Sequence, residues 1–520
     1  MIKISNIQIK VSKKFSNDEL LTLALKKIVK KYHLKEQDIK NPQIIKKSID
    51  ARYDVCYSLI VGFNTLNENK IIQKYPEFSK LKKENIEIKK TTNPLDVSII
   101  GAGPSGLFSA LVLAEAGHNV TLIEQGQAVE EREISVNNFF KNGNLNPYSN
   151  IQFGEGGAGT FSDGKLNTNV NTIYNQYVLE KFVSFGASSE ILIDTKPHIG
   201  TDVLKNCLKN LRHYLESLNV KIYFNHKFID YKTDTLVHLE VLNVLDNTVL
   251  SMTCDKLILA IGHSAKDTYH LLNKSLLLEP KPFSMGVRIE HLQEEINNSL
   301  HKDAKDFLPA ASYKLVEHLP SGRTLYSFCM CPGGEVVNAS SESGRLVVNG
   351  MSYSARSGKY ANSAMLVNIE VDDYYKDSPL DGLYFQEKYE KLAYDLLNGK
   401  VPVQHYDDFC NNVKSTKLIN GTSLNCQYDF GNINECLPNY VATTLIEGIS
   451  KLERKIKNFS NNPLLIGLES RSSSPIRIKR DEDYHSSNPL IYPIGEGAGY
   501  SGGIITSAID GIKCALKINE

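Results

Sequence analysis

The chain is read as an α/β protein: a parallel-sheet domain split by a long insertion, with a mixed α+β cap and a small α/β unit in front. Three observations predict this. VSIIGAGPSG at residues 97–106 has the form of a strand, a glycine turn and a helix; IYPIGEGAGYSGGIITSAIDG at 491–511 repeats that form nearly 400 residues later; and the first 90 residues carry a charge of their own. Those residues hold 20 Lys and Arg against 10 Asp and Glu in a chain whose net charge is zero, so the remainder is about −10.

In chain order, Ile2–Val11 alternates as a strand. Ser16 or Asn17 caps a helix whose apolar residues Leu21, Leu25, Ile28, Val29 and Tyr32 recur at helical spacing. Strands are expected near Ile44–Asp50 and Cys56–Phe63. A charged stretch from Lys80 to Lys90 and TTNP at 91–94 close this unit, placed at residues 1–93. Its basic balance is read as a solvated lysine-rich face, because no aromatic interleaving of the kind that binds nucleic acid accompanies it; nucleic acid is not an expected partner.

From Asp96 a βαβ unit follows: Val97–Ile100, helix Pro104–Ala116 ended by Gly117, and strand Asn119–Ile123. A helix over Asp202–Leu218, capped by Thr201, leads to a strand at Val220–Phe224. Strands at about 228–232, 236–245 and 248–254 make an antiparallel meander, and Lys256–Gly262 returns to a buried parallel strand. Residues 94–275 with 485–520 are taken as one discontinuous domain. Residues 276–484 are a cap or substrate domain of short strands and turns, with a helix over Gly382–Leu397.

At 520 residues and 41% hydrophobic content the chain is long enough for two to four domains. No apolar run reaches the roughly 18 residues of a membrane span, and the N-terminus lacks the apolar core of a secretory signal. Nine scattered cysteines do not form a disulfide framework, so a cytoplasmic location is expected. No metal site is read.

The glycines carry the cofactor argument. Gly101 makes the turn, Gly103 lets a diphosphate approach the backbone, and Gly106 lets helix pack on strand; Pro104 and Ser105 open a helix whose free N–H groups face the phosphates. Glu124, 18 residues beyond Gly106 and followed by Gln125, is placed to bond the ribose hydroxyls of an unphosphorylated adenosine. The second segment selects FAD over NAD: Gly495, Glu496, Gly502, Gly503 and Ile504 form a second strand-to-helix turn, suited to the flavin end of an extended cofactor. The loop Gly154–Lys165, with five glycines in twelve residues, suits backbone lying against a flat ring. Gly157, Thr160, Ser162 and Lys165 are its candidate contacts. Arg132, Ala260 and Gly262 complete the predicted FAD site. No second strand, G-x-G-x-x-G and helix unit is read between residues 107 and 490, so NAD(P)H, if used, binds transiently.

These elements resemble the FAD-binding parts of the glutathione-reductase-type flavoprotein superfamily. More narrowly, FGEGGAGTFSDGKLNT at 153–168, PHIGTD at 197–202, SFCMCPGGEVVNASSE at 327–342, NGMSYSARSG at 349–358, ESRSSSPIRI at 469–478 and GEGAGYSGGI at 495–504 resemble the bacterial family of uncharacterised FAD-dependent dehydrogenases. The resemblance implies a Rossmann-like FAD-binding domain, FAD extended along 101–106, Glu124, 154–166, 260–262 and 495–504, and an extra N-terminal domain. Glu496 stands where the wider superfamily has Asp.

FAD carries the redox chemistry, which leaves few obvious catalytic groups to find. Candidates are Lys165, the thiols Cys329 and Cys331, which a strand points to one face, and Arg288, Arg356 and Arg471, whose guanidinium groups suit an anionic substrate group. His198 is read as structural. The leading expectation is an FAD-dependent oxidoreductase passing a hydride or electron pair to or from a small-molecule substrate. An NAD(P)H-dependent flavin monooxygenase, and a non-catalytic flavoprotein sensor that binds nucleic acid or protein through its basic domain, are the alternatives. Substrate and oligomeric state are not legible in the residues.

Overall fold

A computed structural model describes residues 1–82, 85–166 and 172–520. Residues 83 and 84 of the charged stretch, and residues 167 and 168 that end the 153–168 motif, lie outside the described residues.

The N-terminal unit is a four-stranded antiparallel sheet in the order Lys40–Asp50, Cys56–Asn64, Ile2–Lys10, Phe78–Lys80. Ser16 caps helix Asn17–Tyr32 in a capping box with Glu19. The buried stripe is Leu20, Ala24, Ile28 and Tyr32. Leu21, Leu25 and Val29 are only half-buried, so the helix is rotated from the expected face, with Leu20 and Ala24 turned inward in place of Leu21 and Leu25. Strand Phe78–Lys80 and helix Glu68–Lys74 are too short to leave a periodic signal.

The second sheet has five parallel strands in the order Ile491–Pro493, Lys256–Leu259, Asp96–Ile100, Asn119–Ile123, Lys221–Tyr223. Read from the last of these inward, the chain order is 3-2-1-4-5, the Rossmann-like order, and it reverses between Asp96–Ile100 and Lys256–Leu259. The two glycine-rich segments are thus one strand apart. Helices Pro104–Ala116 and Ile504–Ile518 cover one face and bury Leu107, Leu111, Ile505 and Ile512. The meander His226–Thr233, Val237–Asn243, Val249–Cys254 covers the other. Helix Thr201–Ser217 starts one residue earlier than expected. Its N-cap is Gly200 at φ +83°, and the Thr201 hydroxyl donates to the Thr160 carbonyl instead of capping.

The insertion departs most from expectation. In place of short strands it holds a seven-stranded sheet whose centre is the antiparallel pair Phe283–Leu292 and Tyr360–Ile369, ten residues each. Both strands are buried almost throughout, so neither shows the alternation by which a half-buried strand is recognised. Helix Asn439–Leu452 packs Val441, Leu445 and Ile449 into the same core, and helix Asp381–Leu397 lies nearly where expected.

Candidate functional site

At the carboxyl ends of the parallel strands, where the chain order reverses, a cleft opens between the parallel-sheet unit and the seven-stranded sheet. Such a switch point is where open α/β sheets bind ligands. Gly101, Gly103, Pro104 and Ser105 line one wall. A Cβ on Gly103 would point into open space, its nearest neighbour being the Gly157 Cα at 4.0 Å. The N-terminus of Pro104–Ala116 therefore faces the cleft bare of side chain. Gly106 and Gly495 sit behind the wall, packed against Gly101 and Ser105.

Glu124 is buried at the end of its strand. Its carboxylate accepts N–H groups from Ala102 (2.8 Å), Gly126 (2.9 Å) and Gly154 (3.0 Å), which ties both glycine turns to the second strand. It still borders the cleft. A side branch beside it, lined by Gln125, Ile123, His226 and Phe228, extends toward the meander.

Arg132 is fully buried and takes no place in the wall. Nε donates to Asn150, Nη1 to the Glu155 carbonyl and Thr160 Oγ1, and Nη2 to the Ile151 and Gly157 carbonyls. Every N–H is spent on holding the glycine loop. Thr160 returns its own hydroxyl to the Glu155 carbonyl and likewise faces away. The loop spells G-x-G-x-x-G at Gly154–Gly159, but it leads into a 3-10 turn, not the strand-to-helix junction that the nucleotide motif requires. Burial pushes the Glu155 carboxyl up to about 7, although Arg212 stands 3.4 Å away.

Gly157, packed beside Gly103, also lines the cleft, as do Ser162, Lys165, Ala260, Gly262 and Glu496. Gly503 and Ile504 bring in the N-terminus of Ile504–Ile518, whereas exposed Gly502 lies outside. His263, not anticipated, follows the LAIG strand. It is buried, donates its Nε2–H to Gln386 Oε1 (3.1 Å), and its Nδ1, 3.8 Å from Glu496, has no hydrogen-bond partner among the described residues. The 495 turn is held from behind by Asp510, which accepts the Gly495 N–H and a bidentate pair from Arg480.

The remaining wall comes from the seven-stranded sheet. Cys329 lines it, but the strand carries an extra residue between Phe328 and Cys331, and Cys329 takes φ +40°. The bulge is what separates the two thiols: Cys331 is buried in the sheet, donating to the Cys329 carbonyl. Burial pushes the Cys329 thiol up to about 12, so it stands as a neutral thiol. Arg356 is bound to Asp163 and does not reach the cleft. Arg288 lies beneath the wall. Arg471 lines it, with its guanidinium taken up by Glu390 (2.9 and 2.7 Å), Ser341 and Ser264. His198 bonds the Ser354 carbonyl, and burial lowers its basicity. Glu469 and Ser472 complete the wall. Both fall inside ESRSSS, and nothing in spacing alone marks either as facing a cleft.

The bare Gly103 approach, two helix N-termini opening on one cleft, and the unpartnered His263 Nδ1 fit an extended dinucleotide. Comparisons with known proteins agree. Residues 282–472 match the family described as FAD-dependent protein, C-terminal domain-like; residues 94–132 match an FAD binding domain; and residues 1–63 match a domain of unknown function. An L-amino-acid oxidase of Echis ocellatus is 50% identical over 58 residues, 11% of each chain. Likeness to solved structures is slight: a flavoprotein/dehydrogenase from Cytophaga hutchinsonii is 12% identical, with 82% of this chain and 77% of that one covered at a TM-score of 0.35. No described helix is long and apolar enough to cross a membrane. An uncharacterized protein of Clostridium beijerinckii is 42% identical over 542 residues, covering all of this chain and 98% of its own. The chain belongs to the family of that protein, a family of FAD-dependent proteins.

Proposed function

We propose that the protein is an FAD-dependent oxidoreductase that exchanges a hydride or electron pair with a small organic substrate held against the seven-stranded sheet. The observation that carries this reading is a single cleft with a helix N-terminus at Pro104 on one side, another at Ile504, and walls from Cys329, Glu469 and Arg471 opposite. The arrangement of the glycine segments supports the glutathione-reductase-type placement.

In this reading the N–H groups opening at Pro104 hold the diphosphate, Glu124 takes an adenosine ribose hydroxyl, and Gln125 lies on the adenine side. Ser162, Lys165 and the N–H groups at Ile504 take the ring, and Glu496 with His263 the ribityl chain. FAD, when bound, supplies the two-electron chemistry. The protein's residues position, exclude water and move protons. NAD(P)H is proposed as a transient reductant only, entering the open side of the cleft.

The test is anaerobic titration of purified protein with NADH and NADPH, followed by organic donors. Yellow protein bleached by at least one of them is expected. Colourless protein that does not take up FAD overturns the reading.

A further inference from the structure

Glu469 ends strand Leu464–Glu469 with its side chain only 6% exposed, yet it borders the cleft. Its direction is set by a bulge. Arg288 stands opposite Ile466 but Gly286 opposite Glu469, so the strand carries one extra residue, at Gly467 with φ +47°. Without it, Leu468 would face Gly286 and Glu469 would point to the other side of the sheet, since side chains alternate with a period of two. Cys329 marks a second bulge, with two strands between it and Glu469.

Arg288 bridges the two bulges. Nη2 donates to the Cys329 carbonyl at 2.6 Å, and Nη1 reaches Asn349 Oδ1 at 3.1 Å and Glu469 Oε2 at 3.3 Å. Arg288 Nε, Glu469 Oε2 and both side-chain polar atoms of Asn362 have no hydrogen-bond partner among the described residues. Oε2 is thus buried against the Arg288 guanidinium, while Glu469 borders the cleft with no hydrogen bond to its carboxylate among the described residues.

We propose that Glu469 is the catalytic acid–base residue of the substrate side, taking a proton from the hydroxyl or amine of a donor that carries hydrogen on the adjacent carbon. This rests on the oxidoreductase reading above. The donor's O–H or N–H bond breaks and its proton passes to the Glu469 carboxylate. The adjacent C–H bond breaks with its electron pair, the hydride goes to FAD, and a C=O or C=N bond forms. The donor is oxidised by two electrons, FAD is reduced by two, and the proton leaves through the cleft.

Burial holds the Glu469 carboxyl up at about 7 against the pull of Arg288, so both protonation states are accessible near neutrality. The groups facing it are Arg288 and, from Thr324–Cys331, Cys329 and Tyr326, both held neutral by burial. Arg471, paired with Glu390, and Lys165, 3.6 Å from Asp163, border the same cleft.

The test uses FAD-loaded full-length protein, wild type and Glu469→Gln, reduced anaerobically by a panel of alcohols, 2-hydroxy acids and amines. Flavin bleaching in the wild type is expected to rise with pH through a midpoint near 7. In Glu469→Gln it slows by about 100-fold and loses that limb, while FAD retention and dithionite reduction are unchanged. Infrared titration of the wild type should show a buried carboxylic acid band that disappears over the same range and is absent from the variant. Bleaching of the variant at the wild-type rate overturns the proposal, as does a wild type bleached by NADH but by no alcohol or amine, which leaves the oxidoreductase reading standing. Protein that retains no FAD overturns both. Should Glu469→Gln fail to fold, Glu469→Asp decides: slower bleaching with the pH limb retained supports the proposal, and an unchanged rate sinks it.

Discussion

Ser109 donates its hydroxyl to the carbonyl oxygen of Gly511, 3.0 Å away and 402 residues later in the chain. The bond marks where the helices behind the two glycine turns touch. Backbone approaches backbone there, and a Cβ on Gly511 would overlap the Ser105 carbonyl oxygen. Because those helices open on one cleft, this contact fixes the spacing of the two halves of the proposed FAD site.

Gly511→Val is therefore expected to cost about 3 kcal/mol, the upper range for overpacking, because backbone and not a flexible side chain must yield. The helices should separate, and FAD should be lost together with stability. Thermal melts and the ratio of flavin to protein absorbance check this; a variant with wild-type melting temperature would mean that the helices slide without cost.

Gly103→Val should separate those two effects. Its new side chain enters open space, so the protein without FAD should melt within a degree or two of wild type. The same side chain fills the path proposed for the diphosphate, and the variant should purify colourless. A yellow Gly103→Val protein would remove the diphosphate from this turn.

The parallel sheet was legible because its glycine turns, short apolar strands and bounded helices each obey a local rule. The cap was not. Phe283–Leu292 and Tyr360–Ile369 are buried on both faces, and the residues that reach the cleft, Cys329 and Glu469, do so through bulges that reverse side-chain parity. Alternation read straight through Ser327–Cys331 pairs two thiols that the fold separates. Arg132 and Thr160, expected at the cofactor, hold the glycine loop from inside, a distinction that depends on which way the loop folds back.

Arg471 and Glu390 form a buried bidentate pair, with Lys266 3.5 Å from the same carboxylate. Burial opposes ionisation of Glu390, but the two cations hold its carboxyl well below the usual range. Arg471→Met leaves that charge under-compensated and should cost about 3–5 kcal/mol. Adding Glu390→Gln should recover part of the loss. Urea unfolding of both single variants and the double variant measures the coupling, and strict additivity would show that the pair acts as two separate groups.

Glu155 makes stability depend on pH. Its carboxyl, ordinarily near 4.5, is raised to about 7 by burial, and its Oε1 has no hydrogen-bond partner among the described residues. Between those values the folded state binds more protons than the unfolded state, so stability falls as pH rises, by about 3 kcal/mol in all, and levels off above 7. Glu469 adds a change of the same sign. Glu155→Gln removes only the first contribution. Relative to wild type, it should therefore be about 3 kcal/mol better off at pH 8 than at pH 4, a difference measured by urea unfolding at the two pH values. An equal effect at both would show that Glu155 is ionised in the folded protein throughout, its charge compensated by Arg212 at 3.4 Å.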